Sequence, residues 1–263
     1  MTKRGGFRAP GASAAALAAL LVGTTALGAE LRVAAAANLK FALDAGVSEF
    51  RKSHPDIDVK VTYGSSGNFV AQIENAAPFD LFLSADVEYP EKLAARGLTI
   101  PGSDFVYGFG RIVVWVRKES SLDIAGRGLS ALAEPSVKKV AMANPRHAPY
   151  GRAAEAALQS LGVWDSVKEK LVLGENITQT AQFVQSGAAD AGIVALALVL
   201  APDMAAAGRW AEIPSSAYPP MPQGGVILKS AASPDAARAF RDYLLGPEGR
   251  AVLARFGFTL PAP

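Results

Sequence analysis

A short apolar run that ends in a small polar turn and leads into an amphipathic helix recurs several times along this chain, and that recurrence limits the fold most. Leu31 to Ala36 (LRVAAA) has the unbroken apolar character of a strand buried on both faces. It meets Asn38, an N-cap residue type, and Leu39, Ala42, Leu43, Val47 and Phe50 then follow helical spacing up to His54-Pro55. Ile57, Val59 and Val61 alternate with polar residues as a second strand, and Gly64-Ser65-Ser66-Gly67-Asn68 leads into a helix with Phe69, Val70 and Ile73 on one side. Phe79 to Ser84 reads as a third strand, followed by a short helix over Glu91 to Arg96. Such alternation predicts α/β sheets with mostly parallel strands.

The pattern restarts in the middle of the chain. Val137 to Ala143, Leu171 to Leu173 and Ala191 to Ala195 read as strands, separated by helices over Arg152 to Leu161 and Thr178 to Gln185. Arg111 to Arg117 (RIVVWVR) reads as a strand whose expected partner is Gly225 to Lys229. Two helices, Pro234 to Leu245 and Gly249 to Phe256, close the chain. The expected division is two α/β lobes: residues 30–117 with 222–263, and residues 118–221. Two crossings join them, the second stiffened by the proline-rich segment Pro214 to Pro222.

The 263 residues are half hydrophobic and 19% charged, which suits a folded chain with a sizeable core. Lys3, Arg4 and Arg8 precede an uncharged stretch rich in Ala, Leu and Val that ends in Ala26-Leu27-Gly28. This is the layout of a cleavable export signal over residues 1–28, and the stretch is short and weakly apolar for a membrane anchor. Its removal takes away three cations and no acid, turning the formal charge of +2 slightly negative. No broad basic surface then remains to hold nucleic acid. The expected location is the periplasm. The chain has no cysteine and two histidines, which excludes thiol chemistry, disulfides and multi-histidine metal centres.

The turns after the strands carry the chemistry. In open α/β sheets ligands bind at the carboxyl ends of strands, where helix N-termini present unpaired N–H groups and a positive partial charge. Ala37-Asn38, Ser65-Ser66, Ala148-Pro149-Tyr150 and Asn176-Ile177 all sit at such turns, two in each expected lobe. Singly, Asn38, Ser66 and Asn176 read as caps of their own helices and Tyr150 as a packing ring. Jointly they outline an anion site built without cationic side chains.

A resemblance attaches to these residues. VAAAANLKFAL (33–43), YGSSGNFVAQIENAAPFDLFLSAD (63–86), MANPRHAPYGRAAEAAL (142–158), LGVWDSVKEKLVLGENITQT (161–180), ADAGIVA (189–195) and FRDYLLGPEGRAVLARFGF (240–258) resemble, in order, the periplasmic molybdate-binding proteins of ABC importers. The resemblance implies a two-lobed, hinge-closing periplasmic binding protein of type II. It implies an oxyanion, molybdate or tungstate, held by Asn38 and Ser66 from the first lobe and by Tyr150 and the Ile177 N–H from the second, with Ala37 adding its own N–H. Molybdenum is then bound only as its oxyanion, with no cofactor and no catalysis. The implied partners are a membrane permease and a separate ATPase chain, and the protein itself is expected to be a monomer. Many relatives carry Ser where Asn38 stands, and some carry Tyr where this chain has Ala195, a hydroxyl that Tyr150 is placed to replace.

Two other readings compete. A binding protein for sulfate or thiosulfate shares the same anion logic. A serine hydrolase would use Ser65 or Ser66 with His54 or His147 and with Asp80 or Asp86 as orienting carboxylate, but the G-x-S-x-G pattern is not met. Arg146, His147 and Arg152 lie near the turns in sequence and read as solvated surface groups, and Glu175 as pointing outward.

Overall fold

The computed structural model describes residues 1–2, 5–6 and 28–262. Nearly all of the expected export signal lies outside the described residues. Among the described residues no helix is long and apolar enough to cross a membrane.

The described elements begin with β1 (Ala29–Ala36), a 3-10 turn over Ala37–Leu39, and α1 (Lys40–Ser53). Then come β2 (Ile57–Gly64), α2 (Ser66–Glu74), β3 (Leu81–Ser84), α3 (Glu88–Ala95) and β4 (Phe105–Phe109). After Gly110-Arg111 the chain enters β5 (Ile112–Arg117), α4 (Ile124–Arg127), β6 (Val140–Ala143), α5 (Pro149–Ser160) and α6 (Trp164–Val167). It continues through β7 (Leu171–Gly174), α7 (Ile177–Gln185), β8 (Ala191–Ala195), α8 (Leu196–Val199), α9 (Pro202–Ala207) and β9 (Gly208–Glu212). It then returns through β10 (Pro222–Ile227), α10 (Pro234–Leu245) and α11 (Pro247–Arg255).

Two five-stranded sheets result, ordered β2-β1-β3-β10-β4 and β7-β6-β8-β5-β9. They share one plan. In each, three strands from strand–helix units run parallel, and a strand from the other end of the lobe enters antiparallel beside them. The sheets are therefore mixed, where mostly parallel ones were expected. The cause is the crossings: β10 and β5 each carry the chain in from the other lobe and so run against their neighbours.

The expected lobe boundary needs a second correction. RIVVWVR does not pair with GVILK. Ile112–Val116 pairs with β8, and Val113–Arg117 with β9, so this strand belongs to the second sheet. β10 pairs instead with β3 and β4. The first crossing is thus at Gly110-Arg111. An all-apolar strand buried on both faces fits the centre of either sheet, so its composition does not choose between them.

The core explains the sequence pattern. β1 is central and flanked on both faces, so Leu31, Val33, Ala34 and Ala35 are all fully buried. Helix α1 buries Ala42, Leu43, Gly46, Val47 and Phe50 along one stripe. The Phe50 ring stacks on His54 at 4.2 Å and meets Phe240 of α10 edge-on at 5.0 Å. Burying a ring of this size stabilises by roughly 1.5–3 kcal/mol, so this contact fixes α10 on α1. Asp80 is fully buried at the start of β3. It accepts from the N–H of Arg32 (2.7 Å), Ala232 (2.7 Å) and Ser233 (3.3 Å), which ties the chain after β10 to β1. Its role is structural.

Candidate functional site: an interlobe anion pocket

The 3-10 turn and α2 of one lobe face the N-termini of α5 and α7 of the other. Between them lies a narrow space lined by Ala36, Ala37, Asn38, Ser65, Ser66, Tyr150 and Ile177, among others. All five residues expected at the site, Ala37, Asn38, Ser66, Tyr150 and Ile177, line this one space, and each is at most 4% exposed.

Their local geometry follows from how each helix starts. Helix α2 begins at Ser66, and the Ser66 hydroxyl accepts from the Ala85 N–H at 3.0 Å. Its lone pair is thereby occupied and its proton is directed elsewhere. Pro149 opens α5 with no N–H of its own, while the N–H groups of Gly151 and Arg152 reach the Ala148 carbonyl. The Tyr150 N–H, in the first turn, has no acceptor inside the helix. At α7 the Asn176 side chain is a true N-cap, accepting from the N–H of Thr178 and Gln179 at 3.0 Å each. That leaves the Ile177 N–H as the donor at the tip of the helix.

Asn38 departs from expectation. It lies inside the 3-10 turn and does not cap α1. Its Nδ2 donates to Gln223 Oε1 at 2.9 Å, and its Oδ1 is buried with no hydrogen-bond partner. Gln223, fully buried on β10, also donates through Nε2 to the Tyr150 hydroxyl at 2.9 Å. Reading the sequence missed Gln223, because one Gln after a proline-rich stretch carries no motif.

Burial raises the Tyr150 phenol above the ordinary tyrosine value, against the lowering effect of the Gln223 hydrogen bond. Burial likewise pushes Tyr107 well above it, with Tyr150 as a second cause. Both phenols are neutral at physiological pH. Among the described residues no carboxylate and no cationic side chain lines the pocket.

Of the groups expected at the surface, His147, Arg152 and Glu175 form a rim that bridges the lobes, while Arg146 is exposed and its backbone N–H donates to Asn144 Oδ1 in its own lobe. Arg152 of α5 pairs with Asp86 and donates to the Tyr89 hydroxyl at 2.9 Å. Partial burial lowers the Arg152 pKa, but Tyr89 and Asp86 outweigh it and the net shift is upward. The His147 ring meets the Ser65 hydroxyl at 2.9 Å, and the Gly67 N–H donates to the His147 carbonyl at 2.9 Å. Thr178 Oγ1 donates to the Ala37 carbonyl at 2.9 Å. Glu175 lies at this rim too, accepting from the Asn68 amide across the gap.

Ser65 and His147 are thus in contact, as a nucleophile and base would be. The third member is missing. Glu175 Oε2 is 3.7 Å from His147 Nε2, beyond hydrogen-bond range, while Asp80 is locked in the core and Asp86 is held by Arg152. A larger hollow of about 330 Å³ opens beside Arg152, but Asp86 and Glu88 line it and oppose an anion. Among the described residues no group of three or more His, Asp or Glu could hold a bare metal ion.

Comparison with known proteins gives the family and the fold. Residues 31–259 match the family of bacterial extracellular solute-binding proteins. The molybdate-binding protein ModA of Azotobacter vinelandii is 39% identical over 247 residues, covering 93% of this chain and 96% of that protein. ModA of Rhodobacter capsulatus is 37% identical over 201 residues, covering 76% and 77%. The solved structure of the Azotobacter vinelandii periplasmic molybdate-binding protein superposes with a TM-score of 0.82 at 35% identity, over 88% of this chain and all of that one. The sulfate-binding protein SubI of Mycobacterium tuberculosis shares the fold, with a TM-score of 0.74 at 16% identity over 89% and 88%. The chain belongs to the bacterial extracellular solute-binding proteins and, among them, to the family of the ModA proteins.

Proposed function

We propose that this protein captures molybdate, and tungstate alike, in the interlobe pocket and delivers it to the membrane permease of an ABC importer powered by a separate ATPase chain. The observation that carries the reading is a buried pocket in which uncharged donors from both lobes converge and no carboxylate intrudes. Work in the periplasm fits the leader-like N-terminus and the name of the periplasmic relative from Azotobacter vinelandii. The relatives' names describe binding proteins, which supports capture without chemical change.

The donors are the Ser66 hydroxyl, the backbone N–H groups of Ser66, Ala37, Tyr150 and Ile177, and one side chain of the Asn38–Tyr150 pair. Molybdate is a tetrahedral dianion at neutral pH and only accepts hydrogen bonds. Each bond to a charged group contributes about 1.5–3 kcal/mol net. Five or more give on the order of 10 kcal/mol before association costs, enough for tight binding. The fields of helices α5 and α7 add positive potential at the same point. Phosphate keeps a proton at neutral pH and wants an acceptor, so the pocket disfavours it. Sulfate has the right charge and is selected against by size.

Isothermal titration with molybdate, tungstate, sulfate and phosphate tests the reading. It expects strong binding of the first two and none or weak binding of the others. Tighter binding of sulfate would move the assignment to a sulfate-type importer.

A further inference from the structure

Gln223 holds an arrangement the pocket's donors do not explain. It lies just after the second crossing and joins a side chain of each lobe. Its Oε1 faces Asn38 Nδ2 at 2.9 Å and the Tyr107 hydroxyl at 3.1 Å, and its Nε2 faces the Tyr150 hydroxyl at 2.9 Å. Tyr107 in turn donates to the Ser84 carbonyl at 2.8 Å. Even the hinge is shaped around this group, since a Cβ at Gly110 would collide with Gln223 Nε2 and the Tyr150 hydroxyl.

The protons in this chain are limited. With Gln223 as described, its NH₂ donates to Tyr150, so the phenol proton is free to serve the pocket. Asn38 then gives one N–H of its amide to Gln223, and its Oδ1 is left buried without a partner. An orphaned buried acceptor is destabilising, and beside a dianion its lone pairs are repelled as well. Rotating both amides by half a turn exchanges their O and N ends. Gln223 NH₂ then donates to Asn38 Oδ1 and to the Tyr107 oxygen, which keeps its own proton on Ser84. Tyr150 donates to Gln223 Oε1, and Asn38 NH₂ is left to face the pocket. Every acceptor is satisfied, and the one unpaired group is a donor.

Resting on the molybdate reading, we infer that Gln223 is a positioning residue that turns the Asn38 amide donor-first toward the anion and takes up the Tyr150 hydroxyl proton, so that in the bound state the side-chain donor of this pair is Asn38. The Tyr150 hydroxyl is consumed by Gln223, and Tyr150 serves the ligand through its backbone N–H. The two lobes are thereby coupled, because the amide sense that arms Asn38 in one lobe needs a proton from Tyr150 in the other.

Calorimetric titration of molybdate into wild type, Asn38→Ala, Tyr150→Phe, Gln223→Met and the Asn38→Ala/Gln223→Met double variant tests this, with apo melting curves to confirm folding. Asn38→Ala is expected to weaken binding about tenfold or more, and Tyr150→Phe no more than about threefold. Gln223→Met should weaken wild type but add little to Asn38→Ala, a coupling that a merely structural residue would not give. The reverse ranking, or additive losses in the double variant, overturns the inference while wild-type binding leaves the functional reading intact. Wild-type protein that gives no heat with molybdate overturns the functional reading itself.

Discussion

The backbone N–H of Gly67, at the start of α2, donates to the carbonyl of His147 across the interlobe gap at 2.9 Å. No side chain fits between them. A Cβ at Gly67 would lie 2.8 Å from that carbonyl oxygen and 2.9 Å from the His147 Cα. The contact occurs only when the lobes are closed, so Gly67 serves closure more than the stability of its own lobe.

Gly67→Ala is therefore expected to prop the gap open. The apparent dissociation constant rises by the inverse of the fraction that still closes, about tenfold or more if closure becomes the minor state. The apo melting temperature should change little, because alanine favours the helix it joins. Titration calorimetry and small-angle scattering with molybdate check both points.

Ser66→Ala removes a hydroxyl that already accepts from Ala85 N–H and has its proton to give. The variant leaves an anion oxygen unpaired and orphans the Ala85 N–H. Affinity is expected to fall roughly ten- to hundredfold. An unchanged calorimetric affinity would remove Ser66 from the pocket.

Arg152→Ala cuts the Asp86 and Tyr89 bridges between the lobes. The Arg152 side chain is 39% exposed, so solvent screens the pair and the effect on closure is modest. A loss of less than about tenfold in affinity, with a scattering profile shifted toward the open form, is the expected result.

Alkaline stability follows from the buried phenols. Burial raises the folded-state pKa of Tyr107 and Tyr150 above the ordinary value of 10.0. Below pH 10.0 these phenols are protonated in both states and their contribution is fully present. Above it the unfolded chain releases protons that the folded one retains, so stability falls as pH rises further. The melting temperature should hold steady through neutral pH and drop above about pH 10, and Tyr107→Phe should flatten that drop. A melting temperature that stays level to strong alkali would contradict the burial of these rings.

The strand–helix alternation was legible because a two-sided buried strand must be apolar throughout and each helix must show a stripe. Ala191–Ala195 and Pro234–Leu245 were placed to the residue. The pocket residues were legible as turns, and as a set through family resemblance. What was not legible was pairing. β4 and β9 were missed, and β5 was assigned to the other lobe, because Phe105–Phe109 carries a glycine and no alternation, and RIVVWVR suits either sheet. The rim was also hidden. His147, Arg152 and Glu175 find their partners 63 to 107 residues away, a distance that local pattern does not encode.

A crystal structure of the protein grown with molybdate locates the bound anion, since the molybdenum position can be fixed by its anomalous scattering. The metal oxide is expected between the 3-10 turn, α2, α5 and α7, with its oxygens on the Ser66 hydroxyl and the N–H groups of Tyr150 and Ile177. An anion seated against lysine or arginine, or outside the gap between the lobes, would contradict this placement.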